Sequence, residues 1–227
     1  MLWLMFFLIL LKLRKGYGIL IRIKNITKVY FKDVILLIAI LFLFIQSSSA
    51  QNQNLSFEVW KNNMLIGYIS MSEKINADFV IYDLSSEIKA EFLFKFNITG
   101  IEKTIYDRGV LVYSSVYRKI NSNKKTNKEL FFKDGKYYLL KGGKRSALTF
   151  PEIKYNLITL YFYEPLKIAQ VYCDNHHKMV QVVFVEKGKY QVTFPDGSYN
   201  IFYYENGKCL KVDAFGLLYE VQLISTI

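Results

Sequence analysis

The chain has 227 residues, 30 Lys and Arg against 19 Asp and Glu, and a net charge of +11. With 52% apolar residues and only two cysteines it is neither a disordered polyelectrolyte nor a disulfide-dense mini-scaffold. Its two histidines, adjacent in sequence, leave little material for a zinc site or a histidine-based triad.

The N-terminal fifty residues stand apart. They hold seven basic side chains (Lys12, Arg14, Lys15, Arg22, Lys24, Lys28, Lys32) and one acid, Asp33, so more than half of the net charge sits there. A nucleic-acid binder concentrates its positive charge on the folded part, so no nucleic-acid partner is expected. Residues 34–45 (VILLIAILFLFI) form an unbroken apolar run, preceded by lysines and followed by Gln46-Ser47-Ser48-Ser49-Ala50. Basic stretch, short apolar core and small residues at the scissile bond are the layout of a secretory signal peptide, with cleavage expected after Ala50. The run falls short of the roughly 20 residues a spanning helix needs; the alternative is an uncleaved leader that anchors the chain to the inner membrane. A second apolar run at 1–11 precedes it, and residues 1–22 read as an extended basic leader or as sequence upstream of the true start. The export machinery is the partner this leader implies. Residues 51–227 then form a single domain.

From Leu55 onward the dominant period is two. Phe92, Phe94, Phe96 and Ile98 alternate with Lys95 and Asn97; Tyr190, Val192 and Phe194 alternate with Gln191 and Thr193; Leu210, Val212 and Ala214 alternate with Lys211 and Asp213. Such alternation buries one side of a pleated strand, and Tyr, Phe, Val and Ile suit that surface. Asp134-Gly135, Gly142-Gly143, Lys187-Gly188, Asp196-Gly197 and Asn206-Gly207 punctuate the apolar runs as tight hairpin turns. The fold class is therefore all-β, an antiparallel meander forming a curved sheet or open half-barrel. The polar stretch at 121–128 reads as a solvated hairpin loop. Asn156 to Tyr163 is apolar on all sides and stops before Pro165; Leu157, Leu160 and Tyr161 share a helical face, so one short helix is expected near residues 156–163.

Few residues carry recognisable chemistry. Gly142-Gly143-Lys144-Arg145-Ser146 lacks the first glycine and the helix of a phosphate loop. Cys173-Asp174-Asn175-His176-His177 offers zinc-type donors, but too few for a structural site, and reads as a turn. Asp78, Asp83, Glu87 and Glu91 could pair for glycoside hydrolysis only if their titration were displaced. No catalytic, cofactor or metal residue is assigned. Cys173 and Cys209 are candidates for one disulfide in an oxidising compartment, or for two buried thiols. The many tyrosines, including Tyr137, Tyr138, Tyr161, Tyr203 and Tyr204, give either a filled core or a concave sheet open to an apolar guest.

The signal peptide, the first strand Phe57-Glu58-Val59 leading to Ile66-Gly67, the element Leu160-Tyr161-Phe162-Tyr163-Glu164-Pro165 and the turn Tyr204-Glu205-Asn206-Gly207 resemble a family of exported bacterial β-rich proteins that carry a domain of unknown function. The strand pattern is also similar to periplasmic lipoprotein carriers, whose curved open sheet closes around an acyl chain. The resemblance implies a fold and carries over no catalytic residue. The expectation is an exported periplasmic or envelope protein that binds an apolar or amphiphilic ligand, such as a lipid, with Leu160, Tyr161, Phe162, Tyr163 and Pro165 as ligand or packing element. Two alternatives are an assembly factor docking another envelope protein and, ranked below it, a hydrolase of envelope glycans.

Overall fold

The computed structural model describes residues 52–91, 95–121, 123–217 and 219–226. The leader, with its apolar core at 34–45 and the expected cleavage point after Ala50, lies outside the described residues, as do Phe92 and Phe94. The described residues form fourteen strands: β1 (Asn52–Lys61), β2 (Met64–Asn76), β3 (Phe79–Glu91), β4 (Lys95–Asp107), β5 (Val110–Ile120), β6 (Asn123–Lys133), β7 (Lys136–Lys141), β8 (Lys144–Leu148), β9 (Gln170–Cys173), β10 (Lys178–Glu186), β11 (Lys189–Thr193), β12 (Tyr199–Glu205), β13 (Lys208–Gly216) and β14 (Tyr219–Ser225). One four-residue helix, α1 (Thr159–Phe162), falls inside the predicted 156–163 window.

All strands belong to one antiparallel sheet in the order β8-β7-β6-β5-β4-β3-β2-β1-β14-β13-β12-β11-β10-β9. The chain meanders outward from β1 to β8, and residues 149–169 then carry it back to β9 at the opposite edge. It meanders inward until β14 pairs with β1, so first and last strands sit side by side in the middle. The hairpins use the turns read from sequence. Asp134 and Gly135 have φ of 51° and 73°, and Asn206 and Gly207 have 52° and 78°, as a type I′ turn requires of both central residues. Arg108-Gly109 is a further such turn, with φ of 47° and 76°.

The returning segment makes the sheet barrel-like. Leu111 N on β5 donates to Ile153 O (2.9 Å), while Tyr172 N on β9 donates to Tyr155 O (2.9 Å) and Leu157 N to Tyr172 O (3.0 Å). Residues 153–157 thus bridge two strands that lie ten places apart in the sheet order. Fully buried Tyr137 locks the junction: its hydroxyl donates to Leu111 O (3.0 Å) and accepts from Ile153 N (2.9 Å), so the phenol is satisfied on both sides.

Two local readings are corrected. Residues 123–128 are not loop but the start of β6, paired with β5 from Ile120↔Asn123 to Tyr113↔Phe131. Backbone pairing decides there, and of the predicted loop only the positive-φ Asn121 is described as turn. On β13, Cys209 rather than Leu210 joins Val212 on the buried face. A β-bulge between Tyr203 and Tyr204 pairs Tyr204 with Cys209 and Tyr203 with Lys211, which leaves Leu210 as the extra residue.

Candidate functional site

The inward faces of the strands divide into two halves along their length. At one end, Leu55, Met71, Tyr82, Tyr106, Tyr137 and Leu139 are buried and pack with Leu160 and Phe162 of α1. At the other end the same strands leave a cavity of about 750 Å³, with Leu157, Ile158 and Tyr161 as one wall. This volume lies within the usual range for small-molecule sites, roughly 300–1,000 Å³.

The apolar wall is contributed by Val59 of β1, Ile66 and Ile69 of β2, Leu84 and Ile88 of β3, Ile98 of β4 and Val221 of β14. Tyr161 is held edge-on between Phe57 (5.6 Å between ring centroids) and Phe202 (5.4 Å), an arrangement that fixes the ring. Of the predicted element, Tyr161 alone lines the cavity. Leu160, Phe162 and Pro165 are buried packing residues. Half-exposed Tyr163 donates to both carboxylate oxygens of Glu73 at 2.7 Å. Burial and the Glu73 carboxylate hold the Tyr163 phenol well above its ordinary range.

The lining also carries a polar cluster. Arg118 Nη2 meets Glu102 Oε1 at 2.6 Å on the neighbouring strand. Lys128 on β6 donates to Asn175 O at 2.8 Å. Asp174 accepts from the Ser114 hydroxyl and from Asn156 Nδ2 (3.0 Å). Burial pushes the Asp174 carboxyl up to about 6, against those two hydrogen bonds, and the Glu102 carboxylate adds to the push. Fully buried Asn156 uses its whole amide: it also donates to Thr104 Oγ1 (3.1 Å) and accepts from the Tyr106 hydroxyl (2.9 Å). Nearer the solvent, His176 stacks on Phe194 at 5.8 Å and lies 3.7 Å from Asp196.

Cys173-Asp174-Asn175-His176-His177 is the β9–β10 turn, closed by His177 N donating to Cys173 O at 2.8 Å. Among the described residues no group of three His, Cys, Asp or Glu side chains is placed to hold a metal ion. His177 Nδ1 lies 3.3 Å from the Tyr172 hydroxyl while its Nε2 is buried without a partner. Burial, with Lys128 and Lys141 nearby, pushes the ring down to about 4. Ser114 bonds Asp174 directly, and both carboxylate oxygens are occupied, so the pair braces the turn rather than activating a nucleophile. Asp83 and Glu87 occupy the opposite face of β3 from the cavity-lining Leu84, Ser86 and Ile88, in exposed ion pairs with Lys74 (3.3 Å) and Lys89 (2.9 Å). Cys173 and Cys209 are buried free thiols, on strands separated in the sheet by β10, β11 and β12. Burial pushes the Cys209 thiol up to about 12.

Sequence reading did not single out Glu102, Arg118, Lys128 or Asn156 as site residues. The signal for three of them is parity: Glu102 shares the register of Ile98 and Tyr106, Arg118 that of Val116, and Lys128 that of Leu130 and Phe132. A charged residue on an otherwise buried register marks a place where the core is interrupted.

No curated protein sequence matches the chain. Among solved structures, the fold is similar to a "Beta-barrel-like Protein of Domain of Unknown Function DUF1849 from Brucella abortus", with a TM-score of 0.50, 9% identity, and coverage of 78% of this chain and 96% of that one. At that identity the likeness speaks to the fold alone. The model of the family described as "Domain of unknown function (DUF6134)" matches residues 57–226, and the chain belongs to that family.

Proposed function

We propose that the protein is exported to the cell envelope and there binds an apolar or amphiphilic ligand in the concavity beside α1, acting by binding rather than by catalysis. The observation that carries this reading is the cavity: about 750 Å³, lined by aliphatic residues from several strands together with a set of charged groups. Core residues fill the other end of the same strands, so the opening is a local departure from close packing. Burial of a ligand's methylenes there would contribute about 0.8 kcal/mol each. The leader at 1–50, with its apolar core at 34–45, supports the envelope assignment.

Titration of the purified chain with a fluorescent single-chain fatty-acyl probe tests this reading. Saturable binding with a blue-shifted emission is expected, weakened at least ten-fold when Leu84→Trp fills the cavity. An unshifted, linear signal would rule it out. Fractionation of the native host, with N-terminal sequencing that begins at Gln51, tests the export half.

A second reading, docking of another envelope protein, is favoured by one edge of the sheet. β9 covers only Lys178 to Gln181 of β10, and Val183, Phe184 and Val185 beyond it are exposed at 49%, 62% and 47%. An apolar edge of this kind is a template for strand addition. Recovery of a stoichiometric protein partner, released by Phe184→Lys, would support it.

A further inference from the structure

The sheet register lines up basic residues on the inner face beside the cavity. Lys128 on β6 stands directly across from Lys141 on β7, and Lys141 directly across from Lys144 on β8. Arg118, opposite Thr126, lies two residues along from Lys128 on the same face. Like charges directly opposite in an antiparallel pair are destabilising, so this row works against the fold that carries it. Among the described residues, no carboxylate lies within 4.0 Å of Lys128, Lys141 or Lys144, whereas Arg118 is paired with Glu102. The row is also continuous with the cavity. Arg118 and Lys128 line it, and a second depression of about 440 Å³ shares Thr126 and Lys128 with it and reaches Lys141 and the Gly142-Gly143 turn.

We propose that this row is the headgroup site for an anionic amphiphile: a carboxylate or phosphate lies across Lys128, Lys141 and Lys144 while its single acyl chain enters the cavity along Ile69, Leu84 and Ile88. The inference rests on the proposed function above and names the class of ligand. An anion between the rows turns the mutual repulsion of the ammonium groups into charge-assisted hydrogen bonds. The positive charges of the row act on one another and on their neighbours. Burial lowers the Lys128 ammonium, with repulsion from Lys141 and Arg118 adding to it, and the same lysines help hold His177 neutral. Three carboxylates also line the cavity and one, Glu129, the second depression, and each is engaged: Glu102 by Arg118, Asp174 by Ser114 and Asn156, Asp196 by Ser198, and Glu129 by the Tyr113 hydroxyl at 3.5 Å. Guarding the sheet edge against aggregation would account for Lys144 on β8. It would not account for Lys128, whose strand has neighbours on both sides.

The test compares four probes on the full chain: a fatty acid, a lysophosphatidylglycerol, a monoacylglycerol of the same chain length, and inorganic phosphate alone. The two anionic amphiphiles are expected to bind at least ten-fold more tightly than the neutral one, with phosphate alone failing to displace them. The Lys141→Gln/Lys144→Gln variant, altered at two exposed positions, should lose most of that preference with its circular dichroism unchanged, and a folded variant that keeps the full preference would overturn the headgroup site. Equal affinity for anionic and neutral lipids would overturn the headgroup site and leave the cavity reading standing. Displacement by phosphate alone would make the row a free-anion site and overturn the amphiphile. Binding of none of the three lipids would overturn both readings together.

Discussion

Asn156 Nδ2 donates to Asp174 Oδ2 across 3.0 Å, tying the segment before α1 to the β9–β10 turn. The same side chain reaches Thr104 and Tyr106 on β4, so one amide joins the returning segment, the turn and the barrel wall. Replacing it with an apolar residue would leave the Tyr106 hydroxyl and one Asp174 oxygen without this partner in a buried setting. Asn156→Leu is expected to destabilise the protein by about 2–4 kcal/mol, seen as a lower urea midpoint at unchanged slope. A loss below about 0.5 kcal/mol would show that the network is dispensable.

Asp174 and His177, three residues apart, pull the pH dependence in opposite directions. The Asp174 carboxyl is up at about 6, above its ordinary 3.8. The folded state therefore binds the extra proton between these values, and stability falls as pH rises through them. The His177 imidazole is down at about 4, below its ordinary 6.5. Here the unfolded state binds the extra proton, and stability rises over that range. The two slopes, each at most about 1.4 kcal/mol per pH unit, largely cancel in the wild-type chain between pH 4 and 6. His177→Gln is expected to expose a falling slope and Asp174→Asn a rising one, in urea melts across that range. Parallel profiles for all three proteins would contradict the assignment.

Gly67 sits where β1 and β3 flank β2, next to the bulge between Val59 and Trp60. A Cβ there would run into the Glu87 carbonyl and approach the Ile88 Cα at 2.7 Å. Both are backbone atoms of a paired strand and cannot swing aside. Gly67→Ala is expected to cost about 1–3 kcal/mol by thermal unfolding, whereas Gly109→Ala, with nothing within 4 Å, should cost only what its φ of 76° imposes.

The two cysteines answer to a thiol count. Both are buried, and burial raises both thiols, Cys209 to about 12. Neither should react quickly with an aromatic disulfide reagent at neutral pH in the native state. Two equivalents should appear on addition of urea without reductant. No thiol released in urea would show instead that Cys173 and Cys209 are joined.

The all-β class, most of the hairpins and the short helix were legible because each has a local cause: alternation, positive-φ turn pairs, and an apolar stretch halted at Pro165. What sequence hides is the non-local part. Nothing in Phe57-Glu58-Val59 announces that its strand pairs with the last one, and nothing near Ile153 tells that its segment bridges β5 and β9. The bulge at Leu210 escapes because one extra residue shifts parity without changing composition. Lys128 reads as a solvated loop residue because the run around it is polar; only its pairing with Val116 puts it on the register of the interior. The cluster around Asp174 brings together residues from 104 to 174, a separation that no motif spans.

Native mass spectrometry of protein isolated from its native host without detergent exchange tests occupancy of the cavity most directly. The account predicts a population heavier than the polypeptide by the several hundred daltons of a single-chain lipid, released on denaturation and absent from Leu84→Trp. A native mass equal to that of the bare chain, unchanged after incubation with anionic lipid vesicles, would contradict it.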